Sequence, residues 1–299
     1  FSTVMFTEPL TTPPTQRLRI IYGVIVGILF GIQYEFGPVF STPELALVAG
    51  NVFSYLVSPK DKLFLKLKSK TNLSPMIMEF AFSKHGNFNF LPGQYLEWTL
   101  PMFISDLRGN RRYFTIASSP TEDEVRLGIR LAQKGSKFKA GLAELPVGGL
   151  VVASQLAGDF TLPVNTKQKL VMIAGGIGIT PFRSMIKYLV DKKEQRDIVL
   201  FYSATKVEDF VYKELFDQAA KVINLKTIYL LADGQPVPAN WHGKIGYITD
   251  EMIKQEVPDY QTREFYLSGP NAMVKNYQKL LRKLNINWSQ IKTDFFPGF

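Results

Sequence analysis

The segment from Arg112 to Pro120 reads Arg-Tyr-Phe-Thr-Ile-Ala-Ser-Ser-Pro and combines three chemical functions at the spacing of a β-strand. The guanidinium of Arg112 supplies a fixed positive charge for phosphate, Phe114 offers a flat surface to a ring system, and Thr115 offers a hydroxyl to a ring nitrogen. Side chains two positions apart share one face of a strand, so Arg112 and Phe114 point the same way. Such a set of side chains could hold a phosphorylated ring system, although an aromatic residue and a hydroxyl on a strand are by themselves equally typical of an ordinary strand.

Two further segments have features of phosphate binding. Gly135 and Ser136 precede a short predicted helix, and the free N–H groups at a helix start can hold a pyrophosphate. Ordinary N-capping by Ser136 is the alternative. Residues 170–181 read as a hydrophobic strand, a glycine-rich turn and a helix start. There the glycines let the backbone approach a dinucleotide, and Thr180 can cap the helix beside its phosphates.

The hydrophobic pattern predicts two folded domains around these segments. Residues 62–132 contain five short runs with the alternation of half-buried strands, separated by turn sequences. This pattern favours a closed antiparallel Greek-key β-barrel. Further along, uninterrupted apolar runs such as 197–202 and 225–230 alternate with helical stretches, which is typical of a parallel sheet in an α/β domain.

The N-terminal residues have a different composition. Two uncharged runs, 20–34 and 45–59, are separated by a linker with Gly and Pro. Extended through flanking charges that can snorkel, each run reaches the ~20 residues that span a bilayer. We therefore expect a transmembrane helical hairpin, with a pair of buried helices as the alternative. The hairpin predicts a location at the cell membrane. Because basic residues flank both of its ends, the positive-inside rule places the following domains on the cytoplasmic side.

The predicted fold class is thus multi-domain. It consists of a transmembrane helical hairpin over residues 1–58, a β-barrel over residues 59–164 and a nucleotide-binding α/β domain with a parallel sheet over residues 165–299.

Composition narrows the chemistry. The chain has no cysteine and two histidines, which excludes disulfides, thiolate metal sites and iron–sulfur clusters held by this chain, so no metal site is expected. Residues 1–57 carry a net charge of −1 and the whole chain +9, so the excess of basic residues lies in the later domains. A solvated surface is one interpretation, and a basic face for an acidic electron carrier, anionic lipid or phosphorylated cofactor is the other. The sequence has no stripe of basic residues interleaved with aromatic residues, so nucleic acid is not an expected partner.

The three segments, in this order, resemble the ferredoxin–NADP reductase superfamily over residues 58–299. The resemblance implies FAD in the barrel and NADPH or NADH in the α/β domain. The implied FAD-binding residues are Arg112, Tyr113, Phe114, Thr115, Ile129, Arg130, Gly135 and Ser136. The implied nicotinamide-dinucleotide residues are Gly175, Gly176, Gly178, Thr180, Pro181, Ser203, Lys206, Gly269, Pro270 and Met273.

The resemblance also implies three catalytic residues, Thr115, Ser268 and Phe299. Ser268 stands where the family often has cysteine, which implies slower or retuned hydride transfer. Phe299 could cover the flavin ring or simply pack. Ser203 and Lys206 follow a strand where NADP enzymes of the family bind the 2′-phosphate, which slightly favours NADPH, although Lys206 could equally be a solvated loop charge.

Residues 6–58 resemble the last two helices of the flavin-carrying membrane subunit of Rnf complexes and sodium-pumping NADH:quinone reductases. Together the resemblances imply a membrane-associated oxidoreductase that transfers hydride between NAD(P)H and FAD. The expected partners are the membrane and either an acidic electron carrier, such as ferredoxin or flavodoxin, or an upstream membrane flavin module. If the acceptor is bound in the membrane, it is expected to be a flavin or a quinone. A ferric or oxygen reductase-type electron-transfer unit and a non-catalytic flavin-binding regulatory subunit are the alternatives.

Overall fold

The computed structural model describes residues 12–32, 35–36, 39–40, 42–59, 61–84, 86, 88–101, 109–131 and 136–296. These residues form a helical hairpin, an antiparallel barrel and an α/β unit with a parallel sheet. The barrel and the α/β unit confirm that part of the predicted fold class. The predicted domain boundaries remain predictions.

The N-terminal part is a hairpin of two helices. It contains α1 (Gln16–Gly31), β1 (Glu35–Phe36), β2 (Val39–Phe40) and α2 (Pro43–Val57). The side chain of Thr42 caps α2 by accepting a hydrogen bond from Leu45 N at 3.1 Å. The helices touch closely, since a Cβ on Gly50 would lie 2.4 Å from Val26 Cγ2.

The expectation of a transmembrane hairpin is wrong. The two helices have 16 and 15 residues, so each is at most about 24 Å long, short of the ~30 Å hydrocarbon core. The predicted extensions form only in part, because α1 includes Arg19 but ends at Gly31, before Glu35, and α2 includes Glu44 but begins only at Pro43. No helix among the described residues is both long enough and apolar enough to cross a bilayer. The expected cell-membrane location is untested.

The barrel is a six-stranded antiparallel sheet in the order β6-β5-β8-β3-β4-β7. Its elements are β3 (Leu63–Ser74), β4 (Ile77–Ser83), β5 (Tyr95–Thr99), β6 (Arg111–Thr115), β7 (Glu124–Arg130), α3 (Lys137–Glu144) and β8 (Leu150–Ala157). The sheet closes beyond the end of β6, where Ala117 N donates to Arg126 O at 2.8 Å. Large apolar side chains, including Trp98, Phe80 and Phe138, fill its interior.

The second sheet is parallel, in the order β12-β11-β10-β9-β13-β14. Its strands are β9 (Leu170–Gly175), β10 (Ile198–Ala204), β11 (Leu225–Leu231), β12 (Lys244–Ile245), β13 (Glu264–Pro270) and β14 (Ile291–Phe296). Its helices are α4 (Thr180–Lys192), α5 (Lys213–Val222), α6 (Asp250–Glu256) and α7 (Asn271–Lys283). The strand order reverses between β9 and β13, and in such sheets ligands bind at the carboxyl ends of the strands at this point.

Buried polar contacts lock the barrel to the α/β unit. The guanidinium of Arg183 on α4 forms a two-pronged ion pair with Glu122 of the barrel and donates to Ala117 O at 3.1 Å. Nearby, Ser184 Oγ donates to Ser118 O at 2.6 Å. Because these groups are buried and paired, separating the two units would leave their polar atoms unsatisfied. The cleft between the units is therefore held at a fixed width.

Candidate functional site

A single large cleft lies where the barrel, the switch point of the parallel sheet and the helical hairpin meet. Its volume is about 1780 Å³, larger than the ~300–1000 Å³ typical of a pocket for one drug-sized ligand. Most of the predicted site residues line it. These are Arg112, Tyr113, Phe114, Thr115, Ile129, Arg130, Ser136, Gly175, Gly176, Gly178, Thr180, Ser203, Gly269, Pro270 and Met273.

The barrel side of the cleft combines a cation with a helix start. Ser136 Oγ caps α3 by accepting from Phe138 N at 3.2 Å, and it also accepts from Arg112 Nη2 at 3.5 Å. The Arg112 guanidinium lies 5.7 Å from the centroid of the Phe138 ring. Its positive charge therefore stands beside the N-terminus of a helix, an arrangement that fits a pyrophosphate. The capping by Ser136 considered from the sequence is also confirmed.

The residues expected at the flavin ring lie at the end of β6. Phe114 is half-buried in the cleft, with its ring 5.7 Å from that of Phe138. Thr115 Oγ1 donates to Asp294 Oδ2 at 3.5 Å. Thus the last residue of β6 joins a carboxyl group of β14, and both line the cleft. Asp294 is not among the site residues predicted from the sequence.

Ser268 lies behind this pair. It is fully buried and stands beside Asp294 in the register of β13 and β14. Ser268 does not line the cleft, although its neighbour Gly269 does. Its hydroxyl has no hydrogen-bond partner among the described residues. The structure therefore does not bring Ser268, predicted as a catalytic residue, to the surface of the cleft.

Asp294 is a residue of the site whose pKa is shifted towards neutral pH. Removal of the carboxyl group from bulk water raises its pKa to about 6, and the hydrogen bond from Thr115 opposes the shift. The neutral acid is therefore the main form below about pH 6 and the carboxylate above it. Asp294 can accept or release a proton close to neutral pH, beside the hydroxyl of Thr115.

This shift predicts a pH-dependent effect of Asp294→Asn on the stability of the unliganded protein. Because its pKa is raised on folding, wild-type stability falls as the pH rises through about 6, whereas the amide variant has no such loss. We expect the variant to gain about 2–3 kcal/mol relative to wild type between pH 4 and pH 8. Urea unfolding at both pH values measures the gain, and an equal difference at the two pH values would contradict the assignment.

Two of the three glycines in the turn after β9, Gly175 and Gly178, are packed too tightly for a side chain. A Cβ on Gly175 would lie 2.3 Å from Met273 Sδ, and one on Gly178 would lie 2.4 Å from Ser268 O. Thr180 begins α4 and its hydroxyl donates to Ile177 O at 3.1 Å. Pro181 occupies the first turn of α4 and is buried, without lining the cleft. These contacts hold the turn close to β13 and α7, and its glycines line the cleft.

Arg130 contacts the side of the cleft that carries this turn. Its Nη1 lies 3.1 Å from the buried carboxylate oxygen Asp209 Oδ2, and a Cβ on Gly176 would lie 3.9 Å from the same nitrogen. The sequence prediction associated Arg130 with the FAD pyrophosphate, as it did Ser136. In the structure, Ser136 contacts Arg112, whereas Arg130 bridges to the α/β unit.

The dinucleotide end of the cleft differs from the sequence expectation. Ser203 lines it, with its hydroxyl donating to Ala174 O at 3.2 Å. Lys206 is 60% exposed, lies 3.7 Å from Glu208 and does not line the cleft. Thr205 and Tyr247 also line it, although neither was predicted from the sequence. Isolated polar and aromatic residues in loops belong to no periodic pattern, so nothing in the sequence marks them. The predicted residues Gly135 and Phe299 fall outside the described residues.

Comparison with known proteins supports this interpretation of the cleft. Residues 172–279 match the family model described as oxidoreductase NAD-binding domain. A flavohemoprotein of Oceanobacillus iheyensis is 26% identical over 241 residues, which cover 77% of this chain and 58% of that protein. The glycine betaine monooxygenase reductase subunit of Chromohalobacter salexigens is 27% identical over 211 residues, which cover 70% of this chain and 56% of that protein. The chain therefore spans little more than half the length of these relatives.

Solved structures share the fold. A cytochrome P450 reductase of Amycolatopsis superposes with a TM-score of 0.69 at 22% identity, covering 79% of this chain and 70% of that one. A ferredoxin–NADP⁺ reductase of Neisseria gonorrhoeae, solved with bound FAD and NADP, superposes with a TM-score of 0.64 at 19% identity, covering 78% and 98%. The N-terminal resemblance to a membrane flavin subunit remains unconfirmed.

The glycine turn lies within the segment that matches the oxidoreductase NAD-binding domain, which supports nicotinamide-dinucleotide binding at this end of the cleft. The chain therefore contains a segment, residues 172–279, that matches an oxidoreductase NAD-binding domain, and it shares the fold of a ferredoxin–NADP⁺ reductase solved with bound FAD and NADP.

Proposed function

We propose that this chain is the reductase part of an electron-transfer system, taking hydride from NADPH or NADH onto FAD and passing electrons singly to a protein acceptor. One observation carries the proposal: Thr115 and Asp294 meet in the same cleft as the glycine turn at 175–178. The groups expected at a flavin ring and at a nicotinamide dinucleotide thus share one cavity. Bound FAD would supply the chemistry that converts two-electron hydride transfer into one-electron steps.

The chain's own residues would hold the reactants and manage protons. Arg112 and the start of α3 would bind pyrophosphate, and Phe114 would orient the ring system against the barrel. The turn at 175–178 would bring the nicotinamide to the same place, because hydride transfer requires the reacting atoms to lie ~3–3.5 Å apart. Thr115, hydrogen-bonded to Asp294, would be able to relay a proton between the ring and the carboxyl group.

The acceptor would be an acidic electron-carrier protein of the ferredoxin or flavodoxin kind, or an oxygenase component. The net charge of +9 favours an acidic partner, because opposite charges steer association. Some similar proteins are named as reductase components, among them the glycine betaine monooxygenase reductase subunit and a ferredoxin reductase in carbazole 1,9a-dioxygenase. Because the chain spans only part of such proteins, its acceptor remains part of the proposal.

A steady-state assay tests the proposed function and its choice of nucleotide together. FAD-loaded protein should reduce ferricyanide, a one-electron acceptor, with NADPH or NADH as donor. Absence of turnover with both donors, in protein that retains FAD, would favour the non-catalytic alternative.

The same assay tests the role of Lys206. If its ammonium contacts the 2′-phosphate of NADPH, Lys206→Ala should raise KM for NADPH about tenfold and leave KM for NADH unchanged. The control is Lys221→Ala, which removes another exposed lysine of the α/β unit at the end of α5. Equal changes with both nucleotides would show that Lys206 does not distinguish them.

A further inference from the structure

The helical hairpin is fastened to the barrel at one rim of the cleft. Gln16 N, in the first turn of α1, donates to Asp159 Oδ2 at 2.7 Å. Next to it, Gly158 N donates to Pro14 O at 3.4 Å. A carboxylate at a helix N-terminus is stabilising, because it satisfies a free N–H and faces the positive end of the helix dipole. Asp159 follows β8 directly, so the hairpin begins where the barrel wall ends.

The hairpin lines the same cavity as the flavin motif. The cavity that contains Phe114 and Thr115 extends past Tyr95 and Ala157 to the hairpin. Its lining there includes Pro13, Pro14 and Arg19 at the start of the hairpin and Tyr55 on α2. The cleft thus has three walls: the barrel, the α/β unit and the hairpin.

The two helices of the hairpin pack closely, and two of their side chains reach the cleft. Tight packing at Gly50 against Val26 fixes α1 against α2. Tyr55 presents an aromatic ring that is 65% exposed on the cleft side of α2. Arg19 brings a cation to the cleft, and its Nε donates to Pro13 O at 2.9 Å. An aromatic surface and a fixed cation are suited to a flat ring system with attached phosphates.

We propose that the hairpin is the third wall of the flavin site, in which Tyr55 lies against bound FAD and shields it from small solutes such as dioxygen. Arg19 adds positive charge at the same wall. This inference rests on the proposed function, because it assumes that FAD occupies the cleft. It assigns binding residues that precede the barrel and that none of the family motifs includes.

The chain supplies matched controls for both side chains. Leu56 follows Tyr55 on α2 and is similarly exposed, at 69%, but does not line the cavity. Arg17 is exposed two residues before Arg19 and likewise does not line the cavity. If a substitution acts only by destabilising the hairpin, both residues of a pair should give the same effect. If the side chain contacts FAD, only the residue that lines the cavity should give an effect.

The experiment measures the FAD affinity of the apoprotein and the rate at which dioxygen reoxidises the chemically reduced holoprotein. Tyr55→Ala should raise Kd for FAD about two- to tenfold and speed reoxidation at least twofold, while Tyr55→Phe should behave as wild type. Arg19→Gln should also raise Kd by several-fold. Leu56→Ala and Arg17→Gln should leave both quantities unchanged.

Equal effects within the two pairs, or no effect of Tyr55→Ala on either quantity, would overturn the proposal. Circular dichroism of every variant excludes unfolding as the cause. Failure of wild-type protein to bind FAD would instead overturn the proposed function. If wild type binds FAD and is reduced by NAD(P)H while Tyr55→Ala matches Leu56→Ala, only the third wall is wrong.

Discussion

Gly178→Ala is expected to destabilise the protein by about 2–3 kcal/mol and to raise KM for NAD(P)H at least tenfold. The added Cβ would lie 2.4 Å from Ser268 O and 2.7 Å from Gly269 Cα. Both atoms belong to the backbone of β13, so no flexible side chain can move aside. The turn would have to separate from β13, which displaces the backbone edge on which the nicotinamide dinucleotide is expected to lie.

The φ angle of Gly178 is outside the left-handed region, so alanine causes no backbone strain there. The substitution therefore tests only whether the site has room for a Cβ atom. Urea unfolding and steady-state kinetics of the FAD-loaded protein measure the two effects. Gly27→Ala is the control, because its Cβ would have no atom within 4 Å and should stabilise helix α1 by up to about 1 kcal/mol. An unchanged KM in Gly178→Ala would show that the dinucleotide does not depend on this turn.

Arg112→Gln is expected to weaken FAD binding by about ten- to a hundredfold, the range for loss of a hydrogen bond to a charged group. The guanidinium is held in place by Arg111 O at 2.6 Å and Gly109 O at 3.1 Å. Its position beside Ser136 places the charge at the start of α3. Glutamine keeps a polar side chain but removes the charge that a pyrophosphate needs.

Titration of apoprotein with FAD gives the affinities, and Lys62→Gln is the control. Lys62 is an exposed residue directly before β3 and does not line the cleft. The control should bind FAD as wild type does. If Arg112→Gln and Lys62→Gln bind FAD equally, the pyrophosphate does not lie at Arg112.

Local patterns in the sequence predicted the two large units well. The alternation around residues 62–70 reflects a strand with one buried face, and β3 buries Leu65 and Leu67 as expected. The uninterrupted apolar run of β9 likewise reflects burial on both faces of a parallel sheet. Such patterns involve residues close together in the sequence, so they can be recognised without knowledge of the tertiary fold.

Features that depend on distant residues could not be predicted in the same way. Thr115 and Asp294 are separated by 179 positions, and their meeting depends on β14 lying next to β13. Arg130 lies in the barrel and pairs with Asp209 of the α/β unit, a contact that no local pattern in the sequence shows. The hairpin was predicted to be longer because apolar runs do not show where Thr42 and Pro43 start a helix. Its place beside the flavin motif follows from its contacts with Gly158 and Asp159.

The central claim is that FAD and a nicotinamide dinucleotide meet in the cleft between Thr115 and the turn at 175–178. Anaerobic titration of FAD-loaded protein with NADPH and, separately, with NADH tests it most directly. The account predicts that one equivalent of at least one nucleotide bleaches the visible absorbance of the oxidised flavin. Protein that fails to bind FAD, or whose flavin spectrum is unchanged by both nucleotides, would contradict it.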